Sequence, residues 1–143
     1  MSHKDVTFLL VEDDEVDIMH LQRSFKKLDI ANPMLVANDG VEALEILRGE
    51  NGHTPLGHPY IILLDLNMPR MSGLEFLHEV RSDPALRRSV IFVLTTSNDD
   101  QDKIKAFDNH VAGYILKSEA GISFPEALEM LDCYLRVVEL PAA

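Results

Sequence analysis

Apolar positions along the chain fall into two alternating patterns. The first is a short continuous run: VTFLLV (6–11), PMLVA (33–37), YIILL (60–64), VIFVLT (90–95) and AGYILK (112–117). Runs of this length predict strands, and runs without polar alternation predict strands buried on both faces. The second pattern is spaced. Ile18, Leu21, Phe25 and Leu28 stand three, four and three residues apart, on one face of an amphipathic helix. In DGVEALEILRG (39–49), Asp39 opens a helix, Val41, Leu44 and Leu47 share a face, and Gly49 stops it. Further helices are predicted from Gly73 (Leu74, Leu77, Val80), from about Asp99 (Ile104, Phe107) and over about 124–138. ENGHTPLGHP (50–59) consists of turn-formers, and SDPALRRS (82–89) reads as a connection with one turn.

Five strands alternating with five helices predict an α/β protein, a parallel sheet with helices on both faces. No internal repeat or low-complexity tract interrupts the order. One domain over 1–143 is expected, with about 139–143 as a C-terminal tail.

Composition narrows the partners. Twenty-four acids against 13 bases give a net charge of −11, which argues against nucleic acid, whose binding relies on neutralising phosphates. There is no basic-plus-apolar leader and no apolar run near ~18 residues, so no membrane span is expected and a cytoplasmic location is. Cys133 is the single cysteine; it fits a reducing compartment and is expected to pack as a small hydrophobe.

The candidate chemistry lies after the strands. IILLDLNMPRMSG (61–73) runs four aliphatic residues into Asp65. Either Asp65 caps a turn, or the strand delivers a reactive oxygen to the sheet edge. Glu12, Asp13 and Asp14 follow the first strand, Asn67 stands two residues past Asp65, Thr95 ends the fourth strand and Lys117 the fifth. In an open α/β sheet, ligands sit beyond the carboxyl ends of the strands where strand order reverses. Carboxylates converging there repel one another unless a cation shares them, and hard oxygen donors suit Mg²⁺ or Mn²⁺ rather than zinc. A cation between Asp13 and Asp65 could hold a phosphoryl oxygen, with the Lys117 charge and the Thr95 hydroxyl on the same group and Asp65 as nucleophile. Each piece alone has an ordinary reading: Asp at a strand end caps turns, and EDDE is a solvated run or the acidic start of a helix. Their common end of the predicted sheet favours the chemical reading.

LLVEDDEVD (9–17), ILLDLNMPRMSG (62–73), VLTTS (93–97) and GYILK (113–117), in this order and spacing, resemble the receiver domain of two-component response regulators. The resemblance covers nearly the whole chain. It implies a flavodoxin-like, doubly wound sheet of order 2-1-3-4-5. It further implies Asp65 as the phosphoacceptor, supplied by a phosphohistidine on a sensor histidine kinase. Asp13 and Asp65 would be metal ligands, with the Asn67 backbone carbonyl, and Glu12 would act through water. Lys117 and Thr95 would contact the phosphoryl group. Thr95 and Tyr114 would be the switch pair, Tyr114 turning inward as Thr95 moves. Asp14 is read as the start of the first helix.

One departure stands out. The family usually has Lys-Pro with a cis peptide after the fifth strand, and here Ser118 follows Lys117. A cis bond to a non-proline costs about 2.5–4 kcal/mol, so the geometry of that loop is open. The long 49–59 loop, SDPALRRSVIFVLTTS (82–97), the Lys-Ser pair and VVELP (137–141) resemble single-domain regulators that partner phytochrome-type histidine kinases.

The last helix is apolar over more than one stripe. Phe124, Leu128, Leu131, Leu135 and Val138 would face the sheet, while Met130, Tyr134 and Val137 form a second line. A broad core face is one reading. The other, from the resemblance, is a homodimer through the face of the fourth helix, fifth strand and fifth helix, extended by Val138 and Leu140. Met68 and Met71 are expected to pack around the loop after Asp65. His53 and His58 share one loop but lack a third ligand at suitable spacing, which marks them as surface residues.

Competing functions are weaker. An aspartate-nucleophile phosphatase would need a second Asp two residues after Asp65 as general acid, and Asn67 stands there. A nucleotide or flavin module would need a Gly-rich loop where VEDDEVD stands. A phosphate sink, or a pseudo-receiver that is never phosphorylated, would share the fold.

Overall fold

The computed structural model describes residues 5–117 and 120–141, with the side chains of 120–127 left aside. Five strands alternate with five helices: β1 (Thr7–Val11), α1 (Glu15–Lys27), β2 (Met34–Ala37), α2 (Gly40–Arg48), β3 (Tyr60–Leu64), α3 (Gly73–Ser82), β4 (Val90–Thr95), α4 (Asp100–Asp108), β5 (Gly113–Leu116) and α5 (Ala120–Val137). All strand pairings are parallel and the order is β2-β1-β3-β4-β5.

Strand alternation divides the core in two. Leu9, Val11, Ile62, Leu64, Ile91 and Val93 point to one face, against Leu44 and Leu47 of α2, Phe76, Leu77 and Val80 of α3 and Ala106 of α4. Phe8, Leu10, Ile61, Leu63, Phe92 and Leu94 point to the other, against Leu21 and Phe25 of α1 and Leu128, Leu131 and Leu135 of α5. Both faces of the inner strands β1, β3 and β4 are covered, which is why they read as continuous apolar runs, while the edge strands β2 and β5 are only partly buried. Each fully buried side chain of this size contributes about 1.5–3 kcal/mol relative to exposure.

Local signals set the helix starts. Asp14 caps α1, accepting from the Val16 and Asp17 amides, and Asp39 caps α2 through the Glu42 amide. Ser72 and Glu75 form a reciprocal capping box on α3, and Asp99 caps α4. Gly49 ends α2 at φ +68°, where a Cβ would lie 2.4 Å from the Pro55 ring. SDPALRRS forms turns, with no helix of its own.

Four expectations are corrected. Ile104 and Phe107, used to predict α4, are each 53% exposed, and Ala106 is the α4 residue buried against the sheet. The period was right and the face was reversed. Cys133 is exposed rather than packed. The second stripe of α5 is split: Tyr134 packs edge-on against Phe92 with ring centroids 5.1 Å apart, while Met130 and Val137 are exposed. Val138 is only half-buried and Leu140 packs against the core from the tail. The Phe124 side chain and the Lys117–Ser118 peptide lie outside the described residues.

Candidate functional site

The sheet order reverses between β1 and β3, and the acidic residues stand there. The β1–β3 ladder continues one step past its last pair, the Asp65 amide donating to the Val11 carbonyl at 3.0 Å. The Glu12 amide donates to the Ala37 carbonyl at 2.9 Å on the other side. Both residues are thus held by backbone at the carboxyl edge. Carboxylate oxygens of Glu12, Asp13 and Asp65 lie within 4.8 Å of one another. Glu12 and Asp65 are buried and Asp13 is exposed, so the crevice opens to solvent on the Asp13 side.

The next strands complete the crevice. Thr95 is fully buried at the end of β4, where its hydroxyl lies near the Asp65 carboxylate and favours its charge. The same oxygen accepts from the Ser97 amide at 3.2 Å. The Tyr114 hydroxyl donates to the Ser97 carbonyl at 2.9 Å, so Thr95 and Tyr114 are joined through one residue. The Lys117 ammonium donates to Glu12 and, at 2.9 Å, to Asp17 of α1. The Leu66 and Asn67 amides lie near the Asp65 carboxylate and favour its charge.

Electrostatics follow from this crowding. Burial pushes the Glu12 pKa up from an ordinary 4.5 to about 7; the Lys117 hydrogen bond opposes the rise and the Asp65 charge adds to it. Burial also raises Asp65, against the pull of Lys117, Thr95 and the two amides. For Lys117, burial disfavours the charge, yet Glu12, Asp17 and Asp65 more than offset it and hold the pKa above its ordinary value. An excess of buried negative charge is what a divalent cation relieves. The donors are all carboxylate oxygens, and one is open to water, a set that fits Mg²⁺ or Mn²⁺. Among the described residues, neither His53 nor His58 belongs to such a cluster.

The loop after Asp65 is held in place from two sides. Gly73 lies against the backbone of Asp65 and Leu66, where a Cβ would be 2.5 Å from the Asp65 carbonyl oxygen. Arg70, at φ +62°, reaches across to Asp39 with contacts of 2.6 and 3.0 Å. Met68 and Met71 pack on the core beneath this loop, as the sequence predicts. Three of these partners were not singled out from sequence. Asp17 is hidden in an acidic run that reads as solvated, and the Arg70–Asp39 pair spans 31 positions without a local signal. Ser97 acts through its backbone, which residue type does not reveal.

By architecture this is a flavodoxin-like α/β protein with an acidic crevice at its switch point. Comparison with known proteins narrows the class. The response regulator receiver domain profile matches residues 8–129, and the chain belongs to that family. It is 33% identical to the response regulator Rcp1 of Synechocystis sp. over 143 residues, covering 99% of this chain and 97% of that protein. The crystal structure of the phosphorylated cyanobacterial phytochrome response regulator RcpA is similar at a TM-score of 0.85, with 32% identity and 99% of each chain covered. The Mn²⁺-bound form of Rcp1 follows at a TM-score of 0.83 with 31% identity, covering 95% of this chain and 99% of that one. Among the described residues no helix is long and apolar enough to cross a membrane.

Proposed function

We propose that the protein is a phosphorylation-switched signalling module, a single receiver domain over 1–143 that takes a phosphoryl group on Asp65 from a phytochrome-type sensor histidine kinase. The observation that carries this reading is the buried Asp65 carboxylate, gathered with Glu12 and Asp13 at the carboxyl edge of the sheet, with buried Thr95 at the end of the next strand. The likeness to RcpA and Rcp1 supports the phytochrome partner.

In the reaction, an Asp65 oxygen attacks the phosphorus of a phosphohistidine. The O–P bond forms as the P–N bond breaks, and the electron pair leaves with the imidazole nitrogen, giving an acyl phosphate. Thr95 and Lys117 supply a hydrogen bond and a charge to the transferred oxygens, and the Leu66 and Asn67 amides hold the nucleophile in place. Mg²⁺ or Mn²⁺, held by Asp13, Asp65, the Asn67 carbonyl and Glu12 through water, would neutralise charge on the transferred group. No separate enzymatic turnover is assigned.

The acyl phosphate carries about two negative charges where the carboxylate carried one. Thr95 then shifts with Ser97 and Tyr114, changing the surface of α4, β5 and α5. Exposed Ile104, Phe107, Met130 and Val137 on those helices support a homodimer through that face, with Tyr134, Val138 and Leu140 at its border. The test is transfer from an autophosphorylated phytochrome-type kinase. Loss of label from the kinase histidine and its appearance on wild type, with none on Asp65→Asn, is expected. Label on both proteins would place the acceptor elsewhere.

A further inference from the structure

Asp17 is a carboxylate at the crevice that the acidic cluster does not use. It is the third residue of α1, its amide fixed by the Asp14 cap, and its side chain meets Lys117 at 2.9 Å. Glu12, the other partner of Lys117, belongs to the group of three oxygens that can share a cation; Asp17 does not. Lys117 is thus held from the α1 side. Its hydrogen bonds go to Glu12 and Asp17, while its attraction to Asp65 is one of charge. The Lys117 side chain is 15% exposed and that of Asp17 37%, so the pair sits at the mouth of the crevice, partly desolvated.

We infer that Asp17 is a positioning residue that latches Lys117 to α1 while Asp65 is unmodified and gives it up when a phosphoryl group arrives. This rests on the receiver reading above. An ammonium has three donors, and two are already committed. A dianionic group on Asp65 must draw the Lys117 head toward it and compete with Asp17 for it. The latch therefore lowers the affinity of the crevice for the phosphorylated state and couples that state to the first two turns of α1, where Val16 and Met19 are exposed.

The probe is beryllofluoride, which mimics a phosphoryl group on a carboxylate, titrated with Mg²⁺ and followed by the Thr95 and Ser97 amide resonances. Asp17→Asn keeps the shape and removes the charge. It should bind beryllofluoride roughly two- to fivefold more tightly than wild type, the scale of a partly exposed ion pair. Asp17→Glu should stay near wild type. In a Lys117→Ala background, Asp17→Asn should have no further effect, which a merely structural role for Asp17 would not produce. Unchanged or weaker binding by Asp17→Asn, or a gain that persists without Lys117, overturns the latch. Absence of beryllofluoride binding by wild type would overturn the receiver reading itself, and the latch with it.

Discussion

The Tyr114 hydroxyl donates to the backbone carbonyl of Ser97 at 2.9 Å, and the Ser97 amide donates to the Thr95 hydroxyl at 3.2 Å. One residue thus carries both ends of the link between the crevice and the half-buried ring on β5. Any movement of Thr95 toward a group on Asp65 must move the acceptor of the Tyr114 hydrogen bond. Thr95→Ala and Tyr114→Phe each cut one of the two bonds. Both variants should still take up phosphate on Asp65, and both should lose most of its effect on assembly, read by sizing with and without beryllofluoride. Unchanged phosphate-dependent assembly in both would dissociate the pair from the switch.

Glu12 makes stability depend on pH. Its folded pKa of about 7 lies above the ordinary 4.5 of the unfolded chain. Between those values the folded, metal-free protein keeps a proton that the unfolded chain has released, so stability falls as pH rises through the window and levels off above about 7. A divalent cation displaces that proton. The gain in melting temperature from Mg²⁺ should therefore be larger at pH ~8 than at pH ~5.5, as measured by thermal unfolding with and without chelator. An equal gain at both would separate Glu12 from the cation site.

Gly73 is needed for space. A Cβ there would meet the Asp65 carbonyl oxygen at 2.5 Å and the Leu66 Cα at 2.6 Å, backbone atoms that cannot swing aside. Gly73→Ala should lose about 1–3 kcal/mol in urea unfolding, the usual cost of overpacking, and should also slow phosphate uptake because Asp65 is pushed. Gly57→Ala, where nothing lies within 4 Å, is the neutral control.

The Arg70–Asp39 strap predicts an asymmetry between its two partners. Asp39→Ala removes both the strap and the α2 cap and should cost about 1 kcal/mol from the cap alone. Arg70→Ala keeps the cap and should cost less. Burial opposes the Asp39 charge, but Arg70 and the Glu42 and Val41 amides outweigh it and hold the carboxyl below its ordinary 3.8. The stability this gives is present above that pH and lost as pH falls through the lowered value. Arg70→Ala should therefore flatten acid unfolding at its most acidic end, as followed by circular dichroism.

How much of this was legible in the sequence depends on whether a local pattern carries it. The inner strands β1, β3 and β4 are buried on both faces and announce themselves as unbroken apolar runs, while the half-buried edge strands β2 and β5 show as shorter ones, so the pattern places all five to within about a residue. Asp65, Glu12, Asp13, Thr95 and Lys117 stand out in the sequence because each ends a strand or lies within two residues of its end, and parallel strands bring those ends together. The face of α4 was misread because Ile104 and Phe107 fit the helical period, while the contact with the sheet is made by the small Ala106. Asp17 and the Arg70–Asp39 strap depend on side chains meeting across loops, which periodicity does not encode. The apolar stripe predicts α5 from about 124, four residues past its start at Ala120, because the stripe begins only at Phe124.

The most direct test is intact mass after exposure to acetyl phosphate, with and without Mg²⁺, for wild type and Asp65→Asn. Wild type should gain the mass of one phosphoryl group only when Mg²⁺ is present, and Asp65→Asn should gain none. A gain of the same size in Asp65→Asn, or no gain in wild type from either acetyl phosphate or a phosphorylated histidine kinase, would contradict Asp65 as the phosphoacceptor.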